Sequence, residues 1–112
     1  MAAKANIIID QGTDFDVTLT VTDDFGDIQD LEGFTAEGQI RKHYSSETLI
    51  ATFETEFGVP RSSGLLTIKL PRSITTNIEA GRYVYDVEIT SQFDVRSRLI
   101  EGTVTVTPEV TR

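Results

Sequence analysis

The sequence contains no cysteine. That removes disulfides, thiolate metal sites and cysteine nucleophiles together. It also contains no tryptophan and a single histidine, His43, so a catalytic triad or a multi-histidine metal centre would need unusual substitutes. No stretch approaches the ~18 apolar residues of a membrane helix. The apolar run near the start, Ile7-Ile8-Ile9, ends at Asp10, whereas the hydrophobic part of a secretory signal needs about seven residues or more. The expectation is no membrane span and no signal peptide, in a chain made in a cytoplasm. Basic residues are also scarce, ten Lys and Arg against eighteen Asp and Glu, for a net charge of −8. That is the wrong sign for a nucleic-acid binder, which must neutralise phosphates.

The 112 residues are the length of one domain, expected to span 1–112. At 38% hydrophobic and 25% charged, the composition is ordinary for a globular fold and too apolar for a disordered tail. The charge is unevenly spread. Residues 1–32 hold eight acids (Asp10, Asp14, Asp16, Asp23, Asp24, Asp27, Asp30, Glu32) and one base, Lys4, for −7. The remaining residues hold ten acids and nine bases, for −1.

β-Branched residues dominate: sixteen Thr, eleven Ile and nine Val. Their stiff side chains suit a pleated surface and disfavour helices. Alternation then marks strands. In 15–22, Phe15, Val17, Leu19 and Val21 face one way, and Asp16, Thr18, Thr20 and Thr22 the other. In 83–90, Tyr83, Tyr85, Val87 and Ile89 alternate with polar or smaller neighbours, and in 100–107 Ile100, Gly102, Val104 and Val106 do the same. Weaker copies are 34–42, 48–55 and 64–70, and 5–10 is a short lead-in strand. Seven strands at 8–12-residue spacing predict an all-β fold, an antiparallel β-sandwich of immunoglobulin type. One short helical turn is expected near 72–78, with Pro71 at its start and Ser73 as a candidate N-cap.

The segment Ala80-Gly81-Arg82-Tyr83-Val84-Tyr85-Asp86 supports that fold. In immunoglobulin-like sandwiches a tyrosine near the start of the penultimate strand bonds back to the preceding corner, two residues before a core position. Gly81 and Tyr83 then form the corner, and Tyr85 takes the core place.

Few patterns point to chemistry. Asp23, Asp24, Asp27 and Asp30 cluster near one loop and could offer oxygens to calcium, but their spacing is not that of an EF-hand, and Asp and Gly are what any β-turn asks for. His43 sits in a predicted turn, no G-x-S-x-G elbow surrounds any serine, and no glycine-rich phosphate loop is present. The expectation is a non-enzymatic chain without a cofactor. Two interaction surfaces are candidates. In such a sandwich the loops between the second and third, fourth and fifth, and sixth and seventh strands emerge at one end, and they carry Phe25, Phe57 and Phe93. These either fold inward to plug the core or form an apolar docking patch rimmed by Asp24, Asp27 and Asp94. The hairpin 82–107 is the second candidate. Its Arg96 and Arg98 either guard an unpaired edge or meet an acidic neighbour.

The order of motifs also carries a resemblance. It rests on Asp10-Gln11-Gly12-Thr13-Asp14-Phe15, on Leu31-Glu32-Gly33-Phe34-Thr35-Ala36 leading into Gln39-Ile40-Arg41-Lys42, and on Gly64-Leu65-Leu66-Thr67-Ile68-Lys69-Leu70. The stretches Ala80–Ile89 and Glu101–Thr111 belong to it too. Over nearly its whole length the sequence resembles virion structural proteins of marine cyanophage-type tailed phages. More distantly it is similar to the N-terminal immunoglobulin-like domain of phage baseplate upper proteins. The resemblance implies a component of the virion at a baseplate, tail, neck or capsid, whose partners are other virion proteins or further copies of itself. It transfers no catalytic residues. Baseplate upper proteins continue into a long stalk, whereas this sequence ends at Arg112, which implies either a stand-alone adaptor or decoration protein or a piece whose partner is a separate chain. A small carbohydrate- or cell-surface-binding module is the alternative.

Overall fold

In a computed structural model of the protein, residues 3–111 are described. They form a sandwich of two β-sheets. One sheet runs β1 (Ala3–Lys4) and β2 (Ile7–Asp10), then β9 (Arg96–Thr107), β8 (Gly81–Thr90), β4 (Thr35–Arg41) and β5 (Leu49–Thr52). The other runs β3 (Phe15–Thr20), β7 (Leu65–Leu70) and β6 (Glu54–Phe57). A short α1 (Arg72–Thr75) links β7 to β8. The core lies between the sheets, where Ile9, Leu31, Ile40, Leu66, Val87 and Val104 are fully buried.

The all-β immunoglobulin-like sandwich expected from the alternation is the architecture found, and three details differ. First, β1 and β2 run parallel to β9, while the remaining ladders are antiparallel. Alternation reveals which face is buried, not the direction of the neighbour. β1 and β2 are one lead-in strand interrupted at Ala5–Asn6. There the Ala5 carbonyl accepts from the Tyr85 hydroxyl at 2.8 Å, and the Asn6 side chain accepts from the Thr103 N–H at 3.2 Å. Gly102 permits this approach, because a Cβ there would lie 2.0 Å from the Ala5 oxygen.

Second, the expected strand 48–55 is two strands in different sheets. The chain crosses at Phe53, whose N–H donates to the Gly38 carbonyl at 2.8 Å. The Phe53 ring sits 6.2 Å from that of Phe15 and 6.1 Å, edge-on, from that of Tyr85, so it touches strands of both sheets. Gly38 makes the space: a Cβ there would come within 3.0 Å of the Phe53 ring and 3.1 Å of Val87.

Third, Ser73 is not the helix cap. Pro71 precedes the first turn, and the Arg72 N–H donates instead to the Asp14 carboxylate at 2.8 Å. A carboxylate suits the positive end of a helix wherever it comes from in the chain. The buried Thr75 hydroxyl donates to the Thr13 carbonyl at 2.7 Å, tying the same turn to the segment before β3.

The corner motif is formed as the sequence suggests. The Tyr83 hydroxyl donates to the Glu79 carbonyl at 2.5 Å, and Tyr85 is buried in the core. Burial pushes both phenols above their ordinary pKa of 10.0, and the charge of Glu79 adds to the effect at Tyr83.

Two outcomes follow from this packing. Phe53→Ala should lower the unfolding free energy by about 3–5 kcal/mol in urea titrations, the usual cost of deleting a buried aromatic ring. The folded state holds its two phenolic protons more tightly than the unfolded chain does. Stability is therefore intact below about pH 10 and declines as pH rises past it. Melting temperatures measured from about pH 8 to about pH 12 should show that decline, shallower in Tyr85→Phe.

Candidate interaction surface

The loops at one end of the sandwich converge, and their own hydrogen bonds explain how. The β3–β4 loop, residues 21–34, opens with a bridge between Thr22 and Ile28. Within it the Asp23 carboxylate accepts from the N–H groups of Phe25 and Asp27, at 2.9 and 3.0 Å. Gly26, at φ 83°, closes the turn in the left-handed region that favours glycine. This Asx-type turn holds Phe25 at its tip, 90% exposed. Downstream, Leu31 is fully buried and its N–H donates to the Arg61 carbonyl at 3.1 Å.

Arg61 joins this loop to the β6–β7 connection. Its guanidinium donates to the carbonyls of Leu31 and Phe34, at 3.3 and 2.8 Å, and lies 4.2 Å over the Phe57 ring. A flat cation satisfies two carbonyls and covers an aromatic face at once, which a lysine could not do. Gly64 completes the contact, since a Cβ there would fall 2.6 Å from Ile28.

The β8–β9 turn, residues 91–95, comes up beside the first loop, with Gln92 packed against Gly33. The Ser91 hydroxyl accepts from the N–H groups of Phe93 and Val95, both at 3.2 Å. Asp94 adopts φ 62°, a conformation that Asp tolerates better than most residues. Phe93 stands out from this turn, 79% exposed. Between the two loops is an open hollow of about 370 Å³, bordered by Asp23 and Asp24 on one side and Ser91 and Val95 on the other.

Of the three loop phenylalanines, the structure places Phe25 and Phe93 at exposed tips of the two loops that border this hollow, though neither lines it, and it does not do so for Phe57. Phe57 ends β6 and is half-buried under Arg61. Four residues that sequence reasoning passed over join the exposed pair at this end: Ile28, Val59, Leu65 and Val95. They are aliphatic residues beside turns, and only the fold reveals that they share an end. The same loops carry six carboxylates (Asp23, Asp24, Asp27, Asp30, Glu32 and Asp94), while the one base in them, Arg61, is already engaged. Arg98 also lines the hollow and exposed Arg96 follows the 91–95 turn, so the charge here is mainly but not wholly acidic. Exposed apolar side chains among mainly acidic loops resemble a protein interface more than a catalytic cleft. Asp23 and Asp30 spend carboxylate oxygens on backbone N–H groups, and no group of three acidic or histidine side chains is placed to hold a metal ion among the described residues.

The hairpin candidate changes character. β8 is an interior strand between β9 and β4, and β9 from Ile100 to Thr107 is flanked by β1 and β2 as well as by β8. It is therefore not a long free edge. Arg98 bridges Glu101 at 2.9 Å and Asp86 at 3.4 Å, two acids that sit directly opposite each other on β9 and β8. The hydrogen bond that Arg98 donates to Glu101, then the charge of Asp86, raises the guanidinium pKa. Arg98 relieves a like-charge pair within its own sheet. Arg96, opposite Thr90, remains exposed.

At the other end, Tyr44 is 73% exposed in the β4–β5 turn beside a hollow of about 210 Å³ bordered by Gln39, Arg41, Asp86 and Glu88. His43 is exposed in the same turn.

No protein-family model matches the chain, and no curated protein matches it. A solved structure that does match is CopC from Methylosinus trichosporium OB3b, at 18% identity and a TM-score of 0.43. The match covers 69% of this chain and 66% of that one.

Arg61→Ala should detach the β3–β4 loop without unfolding the sandwich. Hydrogen exchange at the Leu31 and Phe34 amides should speed up, and global stability should fall by about 1–3 kcal/mol from the lost guanidinium hydrogen bonds. Unchanged exchange would show that the loop is held by other contacts.

Proposed function

We propose that this protein is a non-enzymatic virion structural module that docks onto another virion protein through the loop end of its sandwich. The observation that carries the reading is the pair Phe25 and Phe93, held in the open by turns that their own backbone and an adjacent Asp or Ser stabilise. An exposed phenylalanine on a well-braced turn loses little conformational freedom on binding, so most of its burial appears as affinity. The acidic rim favours a partner whose apolar socket is bordered by Lys and Arg. The virion assignment itself rests on the sequence resemblance.

A second reading, a carbohydrate- or cell-surface-binding module, draws on Tyr44. An exposed ring beside Gln39, Arg41, Asp86 and Glu88 is a plausible platform for a sugar face with hydroxyl partners at its side. A glycan array separates the two, because binding that Tyr44→Ala abolishes would favour it.

The direct test is capture of virion proteins from disrupted tailed-phage particles by the immobilised protein. Phe25→Ser and Phe93→Ser should each weaken capture by about tenfold or more, given ~1.5–3 kcal/mol per buried phenylalanine. Their melting temperatures should stay at the wild-type value, since both rings are solvated in the free protein. Capture unchanged in the double variant, or a large loss of stability in either single one, would overturn the loop-end assignment.

A further inference from the structure

Among the edges of the two sheets, β3 is the longest unbroken one, and Asp16 is its single charge. β5 and β6 are four residues each, and β6 runs into Pro60 three residues on. The lead-in edge is broken between β1 and β2. β3 runs six residues, Phe15 to Thr20, in unbroken register with β7, with no proline, lysine or bulge. Among the described residues no strand pairs with its other side. Such an edge is a template for another strand.

Burial says that something is missing there. Leu66, Ile68 and Leu70 on β7 are at most 1% exposed, while their partners across the ladder, Leu19, Val17 and Phe15, are only half-buried. The free backbone groups can be assigned as well. The Val21 N–H donates to the Gly64 carbonyl at 2.7 Å, continuing the ladder. Odd-numbered residues of β3 therefore bond toward β7, and the N–H and C=O groups of Asp16, Thr18 and Thr20 point outward.

We propose that this edge pairs antiparallel with β3 of a second copy of the chain, across a two-fold axis at Thr18, joining two three-stranded sheets into one of six. The choice of occupant rests on self-complementarity. With Thr18 facing Thr18 of the second copy, the outward groups of Asp16 and Thr20 meet each other, so no carboxylate faces another. On the inner face Val17 meets Leu19 and Phe15 meets Val21, apolar against apolar. Thr18 already shares a hydroxyl hydrogen bond of 2.9 Å with Thr67, and the pairing extends that row across the axis. A one-residue slip would set outward groups against inward ones and reverse the faces. Pairing centred on Asp16 would oppose two like charges. Each copy carries −8, so this dimer is weakest at low salt and tightens as salt screens the repulsion.

The test is mass by light scattering across a concentration series of the full chain, at low and at high salt. The wild type is expected to move from 12.4 kDa toward twice that mass, further at high salt. Thr18→Pro removes an outward N–H without cutting the β3–β7 ladder, an edge-strand position of the kind that proline tolerates. Thr18→Lys places two like charges on the axis and leaves the fold alone. Each should raise the dimer dissociation constant by about tenfold or more, while Phe25→Ser and Phe93→Ser leave it unchanged. If the proline variant unfolds, the lysine variant decides. A wild type that stays monomeric at every concentration and salt overturns the proposal. So does a dimer that survives in the folded Thr18 variants, or one that the loop-end serines dissolve.

Discussion

The structure turns on Phe53. Its backbone carries the chain from one sheet to the other, and its ring fills the space between them against Phe15 and Tyr85. Because β5 and β6 lie on opposite sides of this one residue, β6, β7 and β3 stack over β4, β8 and β9 instead of extending a single sheet. That stacking brings the three loop connections to the same end, and it leaves β3 as the edge of its own sheet. Both surfaces proposed for docking are consequences of the crossover.

The loop end is built in the reverse of the usual economy, in which turns are polar and apolar residues point in. Here polar groups are used internally and apolar groups are shown. Asp23 and Ser91 spend their side-chain oxygens on neighbouring backbone N–H groups, and Arg61 spends its guanidinium on two carbonyls and a ring. Phe25 and Phe93 are what remains to face solvent. A turn that satisfied itself less completely could not hold a phenylalanine outward, because the ring would gain more by collapsing onto the core than the turn would lose.

How much of this was legible in the sequence depends on what each signal measures. Alternation reports burial, so the strands around Val17, Ile68, Tyr85 and Val104 and the sandwich class were readable. It was blind at Phe53, because Ala51, Phe53, Thr55 and Phe57 continue one inward rhythm straight through the change of sheet. It was equally blind to the first four residues of β9, where Arg96-Ser97-Arg98-Leu99 shows no alternation and pairing with β8 alone makes the strand. Tyr83 was readable because its corner contact is local, four residues back. Arg61 was not, since its partners Leu31 and Phe34 lie about thirty residues away. The same holds for Ile28, Val59, Leu65 and Val95, whose shared end is a property of topology alone.

The distribution of charge ties the two surfaces together. Residues 1–32 hold −7 of the net −8, and they include both β3 and most of the loop that carries Phe25. Whatever approaches either surface first meets a negative field, which at low ionic strength reaches well past contact distance. A basic partner of the proposed kind would be drawn to the loop end by that field, whereas a second copy at β3 would be resisted by it until the strands met. Contact in the proposed dimer would be made by backbone hydrogen bonds and apolar side chains, with Asp16 facing threonine, so the penalty would be long-range and screenable while the attraction would be short-range and not. The two surfaces should therefore answer salt in opposite directions, a difference in sign that no single nonspecific stickiness of an acidic protein could imitate.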